Sequence, residues 1–235
     1  MSYIYFALIG TIPSFAWLFF FLKEEIHPEP KKMIAKAFIA GALVTVLVVI
    51  VQYFGKYVLE KYFIAEYSVI SFLVFGIVEE VFKFIAAYVV VRKSRFFDEP
   101  MDAMIYMIVA ALGFAMTENI AIMLNVSAIH EAFNVIILRF VGATLLHALS
   151  SGVLGFYWAK GLVFSHMGKI KNKAVWFFIF FGIGAASVLH LAFNYLILRY
   201  NTSFIYPVVF LIITALFVFW DFENIKISEQ EMENK

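Results

Sequence analysis

The chain has 235 residues, of which 64% are apolar, 19% aromatic and only 15% charged, with no cysteine and a net charge of +1; its mean hydropathy is +0.91. Soluble domains are nearer half apolar and a quarter charged, so this composition excludes an ordinary water-solvated fold, and so small a net charge gives no case for a nucleic-acid partner. Without cysteine there are no disulfides, no thiolate metal sites and no cysteine nucleophile.

Taken in chain order, the apolar runs read as membrane-crossing helices, each near the ~20 residues needed to traverse a bilayer. The first covers 3–22 in "MSYIYFALIGTIPSFAWLFFFLKEE". Its first basic residue, Lys23, follows the run, the reverse of a secretory leader, which predicts a retained helix. The second covers 33–54, after a connection holding Pro28 and Pro30. The third, 68–91, contains "GIVEEVFKFI", with Glu79, Glu80 and Lys83 inside an otherwise uncharged stretch. The fourth covers 101–124, and Pro100 and Asp102 suit its start; Asp98, Glu99 and Asp102 fit helix capping and dipole complementarity. The fifth, sixth and seventh cover 133–159, 174–198 and 204–221. The tail "ENIKISEQEMENK" is polar and is expected to fray.

The predicted fold is all-α: a polytopic bundle of about seven transmembrane helices, with residues 1–222 as one integral membrane domain and 223–235 as a polar cytoplasmic tail. Basic residues set its orientation. With the N-terminus outside, the cytoplasmic connections hold Lys23, Lys31, Lys32, Lys36, Arg92, Lys93, Arg95, Lys160, Lys169, Lys171 and Lys173, whereas the outer side holds only Lys56, Lys61 and Arg199. The C-terminus is then cytoplasmic.

Buried charges are expensive in a bilayer and mark functional sites. Glu79, Glu80, Lys83, Glu118, Arg139, His147 and His190 lie within the predicted third to sixth spans, accompanied by Asn119 and Asn194. At ~1.5 Å per residue, the glutamates and histidines fall about 9–21 Å below the outer surface, so one shared cluster is feasible. Lys83 is four residues from Glu79 and three from Glu80, close enough to neutralise part of the pair. His190 and Asn194 share a face with Ala186 and Ser187. Small residues (Ala111, Ala115, Ser151, Gly155) also let helices approach closely beside Glu118 and His147. Taken singly, these residues have bland readings: a structural ion-pair lock for Glu79, Glu80 and Lys83, packing hydrogen bonds for the histidines, a structural partner role for Arg139. Convergence of so many on four helices favours chemistry. His27, His130 and His166 lie in connections and receive no role.

Two histidines with a carboxylate suit a divalent metal such as zinc, and a further glutamate can relay the proton of an attacking water. The soluble H-E-x-x-H signature is absent. Proton-coupled transporters also gather Glu, His and Lys at mid-membrane.

The blocks "VEEVFK" (78–83), "FDEPMDAMIYMIVAALGFAMTENI" (97–120), "LLHALSSGVLGFYWAK" (145–160) and "LHLAFN" (189–194) occur in the order found in the PrsW family of membrane proteases, which this chain resembles over about residues 10–220. That family is distantly similar to the CAAX prenyl endopeptidase and the bacterial abortive-infection membrane proteins. Its paired glutamates match Glu79 and Glu80, its lysine Lys83, its F-x-x-x-E block Phe114 to Glu118, and its histidines His147 and His190. The CAAX-type pattern has histidine where Glu118 stands, and arginine rather than Lys83; His190 and Asn194 match its H-x-x-x-N block.

The resemblance implies regulated intramembrane proteolysis in a prokaryotic plasma membrane, with a single-span substrate such as an anti-sigma factor cleaved near the extracytoplasmic face. The expected roles are Glu79 as general base, Glu80 as its less exposed partner held by Lys83, and Glu118, His147 and His190 as ligands of a zinc-like ion or, with no metal present, as groups that polarise the water directly. His190 also counts as catalytic, and Asn194 donates to the oxyanion or orients His190. The alternatives are a proton- or cation-coupled transporter, which predicts uptake in liposomes, and an inert membrane scaffold, which would tolerate loss of the whole polar set.

Overall fold

The computed structural model describes residues 2–25, 27–200 and 203–233, and among these it is all-helical. In lipid every backbone N–H and C=O must be paired within its own segment, and a helix does this. The order is α1 (Ser2–Phe21), α2 (Lys31–Lys61), α3 (Val69–Val91), α4 (Met101–Met123), α5 (Ile129–Val141), α6 (Ala143–His166), α7 (Val175–Arg199) and α8 (Ile205–Glu233), with a short 3-10 turn at Asn172–Ala174.

Among the described residues six segments are long and apolar enough to cross a membrane: α1, α2, α4, α5 with α6, α7 and α8. α3 has the length, 23 residues, but carries Glu79, Glu80 and Lys83 in its middle. Large apolar side chains such as Phe19, Leu43, Phe177 and Leu216 are more than half exposed on the outside of the bundle, the surface a lipid environment covers.

α4 is the central helix. Every residue from Met101 to Ala115 is buried, so this segment is enclosed by neighbouring helices on all sides rather than presenting one face to the core. α2 lies against it at small residues. A Cβ at Gly41 would stand 1.9 Å from the Ala110 carbonyl oxygen, and one at Gly113 would stand 1.9 Å from that of Phe38. Only glycine permits this approach.

Two expectations are corrected. The fifth predicted span is two helices, broken at Gly142, whose backbone (φ −112°, ψ −101°) is not helical. The tail does not fray within the described residues: α8 continues to Glu233, burying Phe222 and Ile225. Glu229 accepts the Met101 N–H at 2.6 Å, supplying a partner to the otherwise open start of α4.

The helix ends alternate between two faces. On one, the α1–α2 connection meets the start of α4 and the end of α8 through His27–Glu99 (2.8 Å), Lys226–Glu24 (3.5 Å) and the short hydrogen bond from Tyr106 to Glu29. Asp102 accepts the N–H groups of Asp98 and Glu99, each at 3.0 Å, which is the capping role its position predicts. The α2–α3 connection, with Lys56–Glu66 at 2.7 Å, lies on the other face.

Candidate active site

Adjacent helical residues point about 100° apart, and this separates the two glutamates of α3. Glu80 faces α6 and is fully buried. Lys83 donates to its Oε1 at 2.8 Å, Ser150 to Oε1 at 3.0 Å and Ser151 to Oε2 at 2.9 Å. Glu79 faces α2 and α7. Its Oε1 accepts from Gln52 at 3.0 Å, while its Oε2 is buried with no hydrogen-bond partner.

Three donor atoms converge beside that free oxygen. His190 Nε2 is 3.2 Å from Glu79 Oε2 and 3.2 Å from His147 Nδ1, and His147 Nδ1 is 3.8 Å from Glu79 Oε2. His147 is 3% exposed and His190 4%. A tetrahedral site with ~2.05 Å bonds has ligand atoms ~3.3 Å apart, so Glu79, His147 and His190 fit a zinc-class ion. Lys83 stands next to this point: its Nζ is 2.8 Å from His147 Nδ1 and 3.8 Å from Glu79 Oε2. An ammonium has donors only, so Nδ1 accepts and the ring proton of His147 lies on Nε2, which donates to Glu118 Oε2 at 2.9 Å.

Glu118 is reached from both sides of the Gly142 break. Arg139, in the last turn of α5, donates to its Oε2 at 3.0 Å, while His147 approaches from the second turn of α6. In one unbroken helix these two residues would be separated by ~12 Å along the axis. A Cβ at position 142 would lie 2.5 Å from the Leu138 carbonyl oxygen, so glycine is what allows the chain to turn here. Arg139 also makes a short hydrogen bond to Asn119, whose amide donates to Thr144 at 3.0 Å. With neutral histidines the cluster holds three carboxylates (Glu79, Glu80, Glu118) against Lys83 and Arg139, one negative charge in excess that a bound cation or proton offsets.

Of the residues expected at the site, the structure brings together Glu79, Glu80, Lys83, Glu118, Arg139, His147 and His190. Asn194, one turn beyond His190, is half-buried and makes no side-chain hydrogen bond among the described residues. Gln52, Thr144 and Ser150 are uncharged, so no intramembrane charge pointed to them in the sequence. Gln52, a lone amide in "VLVVIVQYF", was the most detectable.

The family profile described as PrsW family intramembrane metalloprotease matches residues 29–220, a span that includes all four motif blocks. The chain belongs to this family. It is 28% identical to Protease PrsW of Bacillus subtilis (strain 168), covering 92% of each chain. It is also 28% identical to Protease PrsW of Clostridioides difficile (strain 630), over 88% of this chain and 85% of that one. With Protease PrsW of Geobacillus kaustophilus (strain HTA426) the identity is 31% over 64% of each. No solved structure matches. As a PrsW-family protein the chain is an intramembrane endopeptidase, and the polar cluster between α3, α4, α6 and α7 is its candidate active site.

Proposed function

We propose that this protein hydrolyses a peptide bond of a single-span membrane protein, such as an anti-sigma factor, near the extracytoplasmic face of a bacterial plasma membrane. The observation that carries the reading is the meeting of Glu79 Oε2, His190 Nε2 and His147 Nδ1 within 4.8 Å of one another, with Glu79 Oε2 buried and without a hydrogen-bond partner. The basic connections belong to the cytoplasm, and the cluster then sits toward the opposite side.

His147 and His190, with one carboxylate, would hold a zinc-class divalent ion. Such an ion, when bound, polarises the scissile carbonyl and acidifies water. The sequence assigns that carboxylate to Glu118 and the base role to Glu79. The distances favour the reverse sharing, with Glu79 nearest the histidine lone pairs and Glu118 orienting His147 through its Nε2–H, as carboxylates behind metal-bound histidines do. Lys83 withdraws from His147 onto Glu80 in this reading, and Glu80 stays a fixed counter-charge. Glu118, whose side chain is 28% exposed, is placed to take a proton from water and return it to the leaving amine. Asn194, with its amide unengaged, is placed to meet the developing oxyanion.

A groove of about 420 Å³ opens at Glu118 and Arg139, lined by Thr45, Val46, Val49, Ile50, Ala121 and Ile122. Its apolar walls between α2 and α4 suit lateral entry of a substrate segment from lipid. The test is elemental analysis of purified protein beside cleavage of a quenched single-span peptide, for wild type and His190→Ala. About one zinc per chain, lost with cleavage in the variant, is expected. Chelator-insensitive cleavage without metal would replace the metal with water activation by glutamate alone.

A further inference from the structure

A second cluster lies at the opposite end of α4, on the face shared by the α1–α2 connection and the end of α8. Glu25, Glu29 and Asp102 each place a carboxylate oxygen within 4.8 Å of the others. Asp102 uses Oδ2 to hold the Asp98 and Glu99 N–H groups, and its carboxyl also meets that of Glu29. Glu29 receives the Tyr106 hydroxyl on Oε2. Glu25 is the unexplained member. It is 8% exposed, and neither of its buried oxygens has a hydrogen-bond partner of normal geometry.

Among the described residues no basic side chain balances this group. The charges that act on Glu25 are Asp102, Glu29 and Glu99, all acidic. His27 pairs with Glu99 at 2.8 Å. Lys226 pairs with Glu223 at 2.8 Å and with Glu24 at 3.5 Å. Lys31 lines the neighbouring groove but is exposed and makes no ion pair with the three. A loop that turns a nine-tenths buried carboxylate toward two others, with no cation among the described side chains at hand, has the form of a site for one.

We infer that Glu25, Glu29 and Asp102 bind a hard divalent cation of the magnesium or calcium class, separate from the intramembrane site. All-oxygen donors without nitrogen or sulfur select such ions over zinc or copper, and the Glu25 oxygens can bind in bidentate fashion. The ion ties the α1–α2 connection to the first turn of α4, the helix that carries Glu118 at its other end. It is a structural clasp, and it takes no part in peptide hydrolysis.

The experiment uses the full chain in detergent, freed of divalent ions and then titrated with magnesium chloride or calcium chloride while thermal unfolding is followed. The midpoint is expected to rise by about 5–10 °C at a cation concentration a hundredfold above its Kd. The variant Glu25→Gln/Glu29→Gln is expected to lose that rise while keeping the zinc content of wild type; His190→Ala is expected to do the reverse. Should the double variant fail to fold, Glu25→Gln alone carries the same expectation, because Glu25 has no well-formed hydrogen bond to lose. A wild-type midpoint indifferent to both cations, or an equal rise in Glu25→Gln, overturns the inference and leaves the cluster held by protons.

Discussion

Lys83 donates to Nδ1 of His147 across 2.8 Å, and the same ammonium donates to Glu80 Oε1 across 2.8 Å. One fully buried cation therefore fixes the tautomer of a candidate metal ligand and neutralises the carboxylate behind it. Removing one partner of a buried pair leaves the other uncompensated, at a cost of about 3–5 kcal/mol. Lys83→Met is accordingly expected to lower the unfolding midpoint in detergent sharply, and a variant as stable as wild type would contradict the pairing.

The two glutamates should respond differently. Glu79→Gln keeps the Gln52 contact within reach and exchanges one uncommitted oxygen for an amide, so the fold is expected to survive while the loss of a metal-holding carboxylate lowers cleavage by at least about 10²-fold. Glu80→Gln sets an amide against Lys83, Ser150 and Ser151 and is expected to destabilise the protein by about 1–3 kcal/mol. Peptide cleavage and melting, measured on the same preparations, separate the two outcomes.

Glu118 distinguishes two ways of holding a metal. As the group that orients His147, its replacement in Glu118→Gln should weaken zinc binding by about 10–100-fold. As a direct ligand, its loss should empty the site as completely as His147→Ala does. Zinc titration against a chromophoric chelator reads the difference; equal loss in both variants would restore Glu118 to the ligand set.

Entry from lipid predicts that bulk in the groove blocks substrates without touching the chemistry. Val49 is 59% exposed on the wall of this groove. Val49→Trp is expected to raise KM for a single-span peptide about tenfold, with zinc content and melting unchanged. A KM that stays at the wild-type value would point to another route.

Packing at the centre of the bundle offers a control independent of catalysis. A side chain at Gly113 would meet the Phe38 carbonyl oxygen at 1.9 Å, and backbone on both sides has to move. Gly113→Val is expected to cost at least about 1–3 kcal/mol, read as a lower midpoint and poorer yield of folded protein.

The sequence by itself determined the all-helical membrane architecture, because continuous apolar runs in lipid have few alternatives to the helix. It also picked out the ionisable residues that the fold brings into one cluster. Glu79, Glu80, Lys83, Glu118, Arg139, His147 and His190 stood out because charge within an apolar run is costly unless partnered. The α5–α6 break was not legible, since Gly142 lies in an apolar run that reads equally well as one helix, and the clash that forbids a side chain there comes from a carbonyl already folded into place. The continuation of α8 was missed for a related reason. Its polar residues look unstructured until Glu229 finds the open end of α4 and Phe222 and Ile225 find the core. Tertiary structure alone decided how the site's residues divide their contacts. Helix rotation sends Glu80 to Lys83 and two serines and leaves Glu79 Oε2 beside two histidines, and the turn at Gly142 brings Arg139 and His147 onto one carboxylate. It likewise set Glu25 and Glu29 of the α1–α2 connection against Asp102 at the start of α4, a meeting that no spacing rule anticipates.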